Sequence, residues 1–250
     1  MTQKLREKWL GDDESAQTIN PPAYKPNRPT IRLVTHSSYP PFTYIKDNVL
    51  IGHDIELTYL FCEAMDYNLD VKFYEPSAVL PVLISGRGDL LCGGISITEE
   101  RKQSINFSVP TFKAGVVAVI RKPENTDGEH LRYNSIEELN KKGINIGMGT
   151  GMSFETLCRQ RVPKASILYF NTYTDMANSI KKGKLDAAIL DKPSADMLIA
   201  NVGGIGYLPE LFVAEDYAVI FPKTAKGAAL RDEFNVFLNK IKADGRLAEM

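Results

Sequence analysis

Gly88-Asp89-Leu90-Leu91-Cys92-Gly93-Gly94-Ile95-Ser96-Ile97-Thr98-Glu99-Glu100-Arg101 is a short apolar run that meets a glycine pair and then a helix start. Leu90–Gly93 reads as a buried strand. Gly93 and Gly94 end it and let backbone approach a ligand closely. Thr98 is a good N-cap, and Arg101 falls in the first turn behind it. A cation is disfavoured there, because the helix dipole is already positive. A bound anion removes the conflict: free N–H groups and a guanidinium fork make a carboxylate site. A surface Arg101 paired with Glu99 or Glu100 accounts for the same spacing.

Outward from this stretch, strands and helices alternate. Upstream, the pattern predicts a strand at 31–35, a turn at 39–42, a helix at 54–65, a strand at 71–74 and a short helix at 79–85. Downstream it predicts a helix at 98–103 and a Val-rich strand at 116–121. A second series follows, with strands at 144–147, 167–170, 187–190 and 217–221. Its helices fall at 153–161, 174–182, 193–200 and 228–243. Ser135 with Glu138 three residues later reads as a capping box opening another helix. Such alternation argues for mostly parallel sheets covered by helices. The fold class is α/β with two lobes, and ligands of such sheets sit at the loops after strands.

Three of those loops carry further candidates. Gly147-Met148-Gly149-Thr150-Gly151-Met152-Ser153 offers N–H groups to an anion. As a dinucleotide fingerprint it lacks the third glycine, and the next strand ends in Asn171 rather than an acid. Asp191 stands at the end of an apolar strand, where it can take an ammonium group or simply cap the helix that follows. Thr35-His36-Ser37-Ser38-Tyr39-Pro40-Pro41-Phe42 offers an aromatic platform and a polar group. Core packing of Tyr39 and Phe42, and a structural role for His36, are equally open.

Composition narrows the classes. The chain has 250 residues, 44% hydrophobic and 24% charged, so it is not a disordered chain. Its net charge of −1 makes nucleic acid a poor default partner. Cys62, Cys92 and Cys158 show no C-x-x-C spacing, and the three histidines show no metal spacing. There is no G-x-S-x-G or H-E-x-x-H motif, so neither a metal nor any other cofactor is expected, and no catalysis. The start, MTQKLREKWLGDDE, has no apolar run or cleavage site of a signal peptide.

Taken together, several segments in order resemble the family 3 solute-binding proteins of amino-acid ABC transporters, the type II periplasmic binding proteins. They are Tyr39-Pro40-Pro41-Phe42, Gly52-His53-Asp54-Ile55-Glu56-Leu57, the stretch from Gly88 to Arg101, Phe107-Ser108-Val109-Pro110, Gly149-Thr150-Gly151 and Asp186-Ala187-Ala188-Ile189-Leu190-Asp191. The resemblance spans Ile31 to Met250. It implies two lobes, 31–111 with 216–250 and 112–215, joined by crossovers near Thr111–Gly115 and Val213–Tyr217, with a ligand cleft between the lobes.

The resemblance also implies roles. Arg101 clamps a ligand α-carboxylate, helped by Gly94 and Ser96, with Thr150 and Gly151 reaching it from the other lobe. Asp191 takes the α-ammonium, and Tyr39 stacks on the ligand. His36 stands where many relatives carry an acid, which argues against a cationic side chain and for a neutral or acidic one. Gly147 stands where some glutamine binders carry a lysine, Pro76 where they carry a second aromatic, and His53 for a usual Phe. The expected function is capture of a free amino acid by lobe closure, for an ABC permease or a fused membrane module. The protein is expected as a monomer at the periplasmic or extracellular face, its signal or anchor lying outside this chain. Prephenate or arogenate (cyclohexadienyl) dehydratases share the resemblance but commonly carry Glu where Asp191 stands. A sensory domain of a membrane receptor is a further alternative.

One departure concerns the ends. Relatives continue past the final helix into a Lys-Trp-Phe-Gly-like ending, absent after Met250. Lys8-Trp9-Leu10-Gly11 supplies such a sequence at the other end. A disordered tail that resembles the motif by chance is the alternative; a circular permutation, or excision from a tandem array, is the expectation. Residues 1–12 then form a helix docking on the first lobe, and the polar, Pro-rich 13–30 a linker.

Overall fold

The computed structural model describes residues 3–11, 15, 17–122, 132–149 and 152–250. Its elements begin with α1 (Gln3–Leu10), β1 (Thr30–Thr35), β2 (Ser38–Tyr39), β3 (Thr43–Lys46), β4 (Val49–Ile51), α2 (His53–Ala64), β5 (Asn68–Phe73) and α3 (Pro76–Ile84). Next come β6 (Leu90–Ser96), α4 (Glu99–Lys102), β7 (Ile105–Phe107), β8 (Phe112–Arg121), β9 (Asn145–Gly149), α5 (Glu155–Arg161), β10 (Ser166–Phe170) and α6 (Tyr173–Lys181). The chain closes with β11 (Ala187–Asp191), α7 (Lys192–Val202), β12 (Ile205–Tyr207), β13 (Val213–Pro222), α8 (Ala225–Ala243) and α9 (Arg246–Glu249). Two compact units result: Met1–Phe112 with Asp216–Met250, and Lys113–Glu215.

In the first unit β1 lies parallel to β5 on one side and to β6 on the other. β13 runs antiparallel beside β6, with a register shift between Ala218 and Ile220, and β7 pairs with β13. Successive residues of a strand face opposite ways. Leu33 and Leu90 therefore enter one core with Ile55, Phe61, Phe234 and Leu238, while Val34 and Leu91 enter another with Val79 and Leu83. Burial on both faces explains why these strands read as continuous apolar runs.

A three-stranded sheet, β2-β3-β4, adds a feature the sequence reading lacked. Asp47 and Asn48 turn its hairpin with φ of 50° and 63°, a left-handed conformation that Asp and Asn tolerate. α1 packs in the same unit: Trp9 is 1% exposed, and its indole N–H donates to the Met250 main-chain oxygen at 2.8 Å. The Tyr44 hydroxyl donates to the Trp9 carbonyl, and Lys8 pairs with Glu56.

In the second unit β9 runs parallel to β10 and β11, and β8 runs antiparallel to β11 and β12. Among the described residues the parallel pairings are thus those of β1, β5 and β6 and of β9, β10 and β11. Val116, Ala118 and Ile120 face a core that includes Cys158 of α5, and Val117 and Val119 face one built with α6 and α7. The helix expected from Ser135 is a single 3-10 turn, Glu137–Leu139. The Ser135 hydroxyl does accept from the Glu138 N–H, but the Glu138 carboxylate turns to the Asn134 N–H, so the reciprocal box does not close. Ser153 does not cap α5, which starts at Glu155 behind Phe154.

Candidate functional site

The first unit carries Arg101, Ser96, Gly94, Tyr39 and His36. α4 is one turn long, with Glu99 and Glu100 in it, so its dipole is weak and the dipole argument for Arg101 loses force. Local bonds hold Arg101 instead. Its backbone N–H donates to the Thr98 hydroxyl at 3.2 Å, and Nη1 donates to the Ser96 carbonyl at 3.0 Å.

Gly93 and Gly94 have φ of 136° and 65°. A Cβ on Gly94 would stand 2.3 Å from the Tyr39 ring. Glycine is therefore required twice over, by backbone and by ring. The Gly94 N–H is engaged by Asp54. Tyr39 stacks on Phe42 at 5.5 Å and 20°, and its hydroxyl shares a 2.9 Å hydrogen bond with that of Tyr217. Phe42, with no exposed surface, is core. Tyr39 is half-buried at the edge of that aromatic cluster.

His36 is 7% exposed. Its Nε2 lies 3.2 Å from the Gly93 carbonyl, an acceptor, so Nε2 carries the proton. Nδ1 is then an acceptor, without a hydrogen-bond partner among the described residues. Burial pushes the imidazole pKa down, against the Gly93 bond and the nearby Asp54 charge, which raise it. His53 does more than pack: Nδ1 donates to Asp54 Oδ1 at 2.8 Å.

The second unit carries Asp191, the last residue of β11 and 5% exposed. Its Oδ1 accepts from the Ser194 N–H at 2.9 Å, capping α7. Tyr173 of α6 lies near Asp191, and burial, followed by the Asp191 charge, pushes its hydroxyl pKa well up. Tyr173 and Tyr217 escaped the sequence reading, since nothing local marks them. A Cβ on Gly147 would lie 2.6 Å from the Leu185 side chain. A side chain there would meet Leu185 and Met176. Thr150 and Gly151 lie outside the described residues.

The cysteines are buried, and burial raises Cys62 and Cys158 to about 12 and about 11, which makes them inert as nucleophiles.

The family model of bacterial extracellular solute-binding proteins, family 3, matches residues 31–250, and the chain belongs to that family. It is 28% identical over 220 residues to the probable amino-acid-binding protein YxeM of Bacillus subtilis (strain 168), covering 86% of this chain and 80% of YxeM. The ancestral amino acid-binding protein AncCDT-1, a precursor of cyclohexadienyl dehydratase, superposes with a TM-score of 0.75 at 26% identity, covering 88% and 92% of the two chains. An ancestral arginine-binding protein bound to glutamine superposes with 0.72 at 27% identity, covering 89% and 96%. The mixed α/β fold is the two-lobe fold of these binding proteins. Among the described residues no helix is long and apolar enough to cross a membrane.

Proposed function

We propose that the protein captures a free amino acid outside the cytoplasm and delivers it for import, without chemistry of its own. Arg101 takes the α-carboxylate with Ser96, Gly94 borders that site with its N–H committed to Asp54, and Thr150 and Gly151 are assigned to the same carboxylate. Asp191 takes the α-ammonium, Tyr39 covers the ligand and His36 faces its side chain. The ligand-bound monomer then docks on an ABC permease or a fused membrane module. The carrying observation is the Arg101 guanidinium, anchored through the Ser96 carbonyl in the unit that also presents Tyr39. His36, standing where many relatives carry an acid, favours a neutral or acidic side chain over a cationic one.

A thermal-shift screen of the twenty amino acids tests this. A ligand at 100 times its Kd adds about 2.7 kcal/mol of stability. Arg101→Ala is expected to remove the shift, and undiminished binding by that variant refutes the carboxylate assignment. The likeness to a dehydratase precursor gives a second reading, dehydration of prephenate or arogenate. Aspartate at 191, rather than glutamate, weighs against it. Product analysis after incubation with both acids decides.

A further inference from the structure

Asp54 belongs to the Gly52-His53-Asp54-Ile55-Glu56-Leu57 segment, to which the reading above gives no task. It is 2% exposed. One oxygen, Oδ2, accepts from both the Gly93 N–H at 2.9 Å and the Gly94 N–H at 2.8 Å. The other, Oδ1, accepts from His53 Nδ1 at 2.8 Å. Asp54 is itself fixed: its N–H donates to the Phe42 carbonyl at 3.0 Å, and it is the second residue of α2, where the helix dipole favours a carboxylate. Donation to an ionised acceptor strengthens both glycine bonds.

Those two glycines hold a backbone geometry that strands do not adopt unaided. Gly94 meets the Tyr39 ring directly. Two residues on, the Ser96 carbonyl holds Arg101 Nη1. A shift in the glycine pair therefore moves both the aromatic cover and the anchor of the guanidinium. We propose that Asp54 is a positioning residue for the ligand site: by gathering two consecutive N–H groups on one oxygen, it sets the kink in β6 that places Tyr39 and Arg101. This rests on the reading of Tyr39 and Arg101 as ligand residues, but the Asp54 contact is measurable without any ligand.

The test compares wild type with Asp54→Ala, Asp54→Asn and Asp54→Glu. The readouts are amide hydrogen exchange at Gly93 and Gly94 without ligand, and calorimetric affinity for the amino acid found in the screen. Asp54→Ala is expected to lose protection at both amides and to bind about tenfold more weakly or worse. Asp54→Asn still offers one oxygen to both amides, with His53 changing tautomer, and is expected to bind within about threefold of wild type. That rescue separates placement from charge. If Asp54→Ala does not fold, Asp54→Glu decides: it keeps the charge but moves the carboxylate by one methylene, and weakened binding supports the proposal. Wild-type affinity in either Ala or Glu overturns it, as do unprotected Gly93 and Gly94 amides in the wild type. Failure of the wild type to bind any amino acid, with both amides protected, overturns the functional reading and leaves the Asp54 contact standing.

Discussion

Trp9 is the only tryptophan in the chain, and its surroundings make α1 part of the first unit's core. The indole is 1% exposed, and Met250, whose main-chain oxygen takes its N–H, is 5% exposed. Replacing Trp9 by alanine removes a large buried ring, at about 3–5 kcal/mol by analogy with other core truncations. It also leaves the Met250 main-chain oxygen without its indole donor, a loss of about 1 kcal/mol or more. Trp9→Phe keeps most of the packing but loses the hydrogen bond, so its cost is set at about 1–3 kcal/mol. The Lys8–Glu56 pair, with side chains 19% and 17% exposed, contributes no more than about 1 kcal/mol. Urea unfolding followed by far-ultraviolet circular dichroism gives the ranking without relying on the indole that has been removed. Trp9→Ala should fall well below Trp9→Phe, and both below wild type. A loss under about 1 kcal/mol in Trp9→Ala refutes the reasoning, because α1 would then be an appendage rather than a part of the cooperative core.

Two further outcomes follow from buried acids. Burial works to raise the Asp89 pKa, but hydrogen bonds from Arg32 and Lys226 hold it well below the ordinary aspartate value of 3.8. A depressed carboxylate stabilises the fold above its unfolded-state value and loses that contribution as pH falls through its folded-state value. Asp89→Asn is therefore expected to cost about 1.5–3 kcal/mol at neutral pH, with the gap to wild type closing below pH ~4; a pH-independent gap in urea midpoints contradicts this. In the second unit, Tyr173→Phe removes the hydroxyl near Asp191 and should weaken amino-acid binding by about 1–2 kcal/mol, roughly 5- to 30-fold. Calorimetry with unchanged affinity would show that Asp191 does not depend on it.

What the sequence made legible follows the range of the interactions. β1, β6, β8 and β11 are apolar runs buried on both faces, so composition alone marks them. Thr98, Asp191 and Thr224 cap helices through their own side chains three residues ahead, and local spacing carries that signal too. The β3-β4 hairpin carries a local signal in Asp47-Asn48, two residues that tolerate the left-handed turn, but the strands it joins are too short to show a pattern of their own. The contacts that hold the site are long-range. Asp54 reaches Gly93 across 39 positions and Tyr39 reaches Tyr217 across 178, and no local pattern encodes either pairing.

The same local device occurs in both units: an acid at the start of a helix, buried against a neighbouring strand. In one case Asp54, in the first turn of α2, accepts the Gly93 and Gly94 N–H groups of β6. In the other Asp191, ending β11, accepts the Ser194 N–H of α7. Sequence alone cannot separate them, since each is an aspartate at a helix start with a structural bond to make. Their remaining neighbours do. Asp54 spends its second oxygen on His53, a partner within its own helix, whereas Asp191 has the buried Tyr173 of α6 near it. A carboxylate with both oxygens occupied, by the amides of a neighbouring strand and by the histidine beside it, shapes a loop. That occupancy fits the placement we propose for Asp54, and an acid near a helix start with a tyrosine beside it fits the ammonium contact we propose for Asp191.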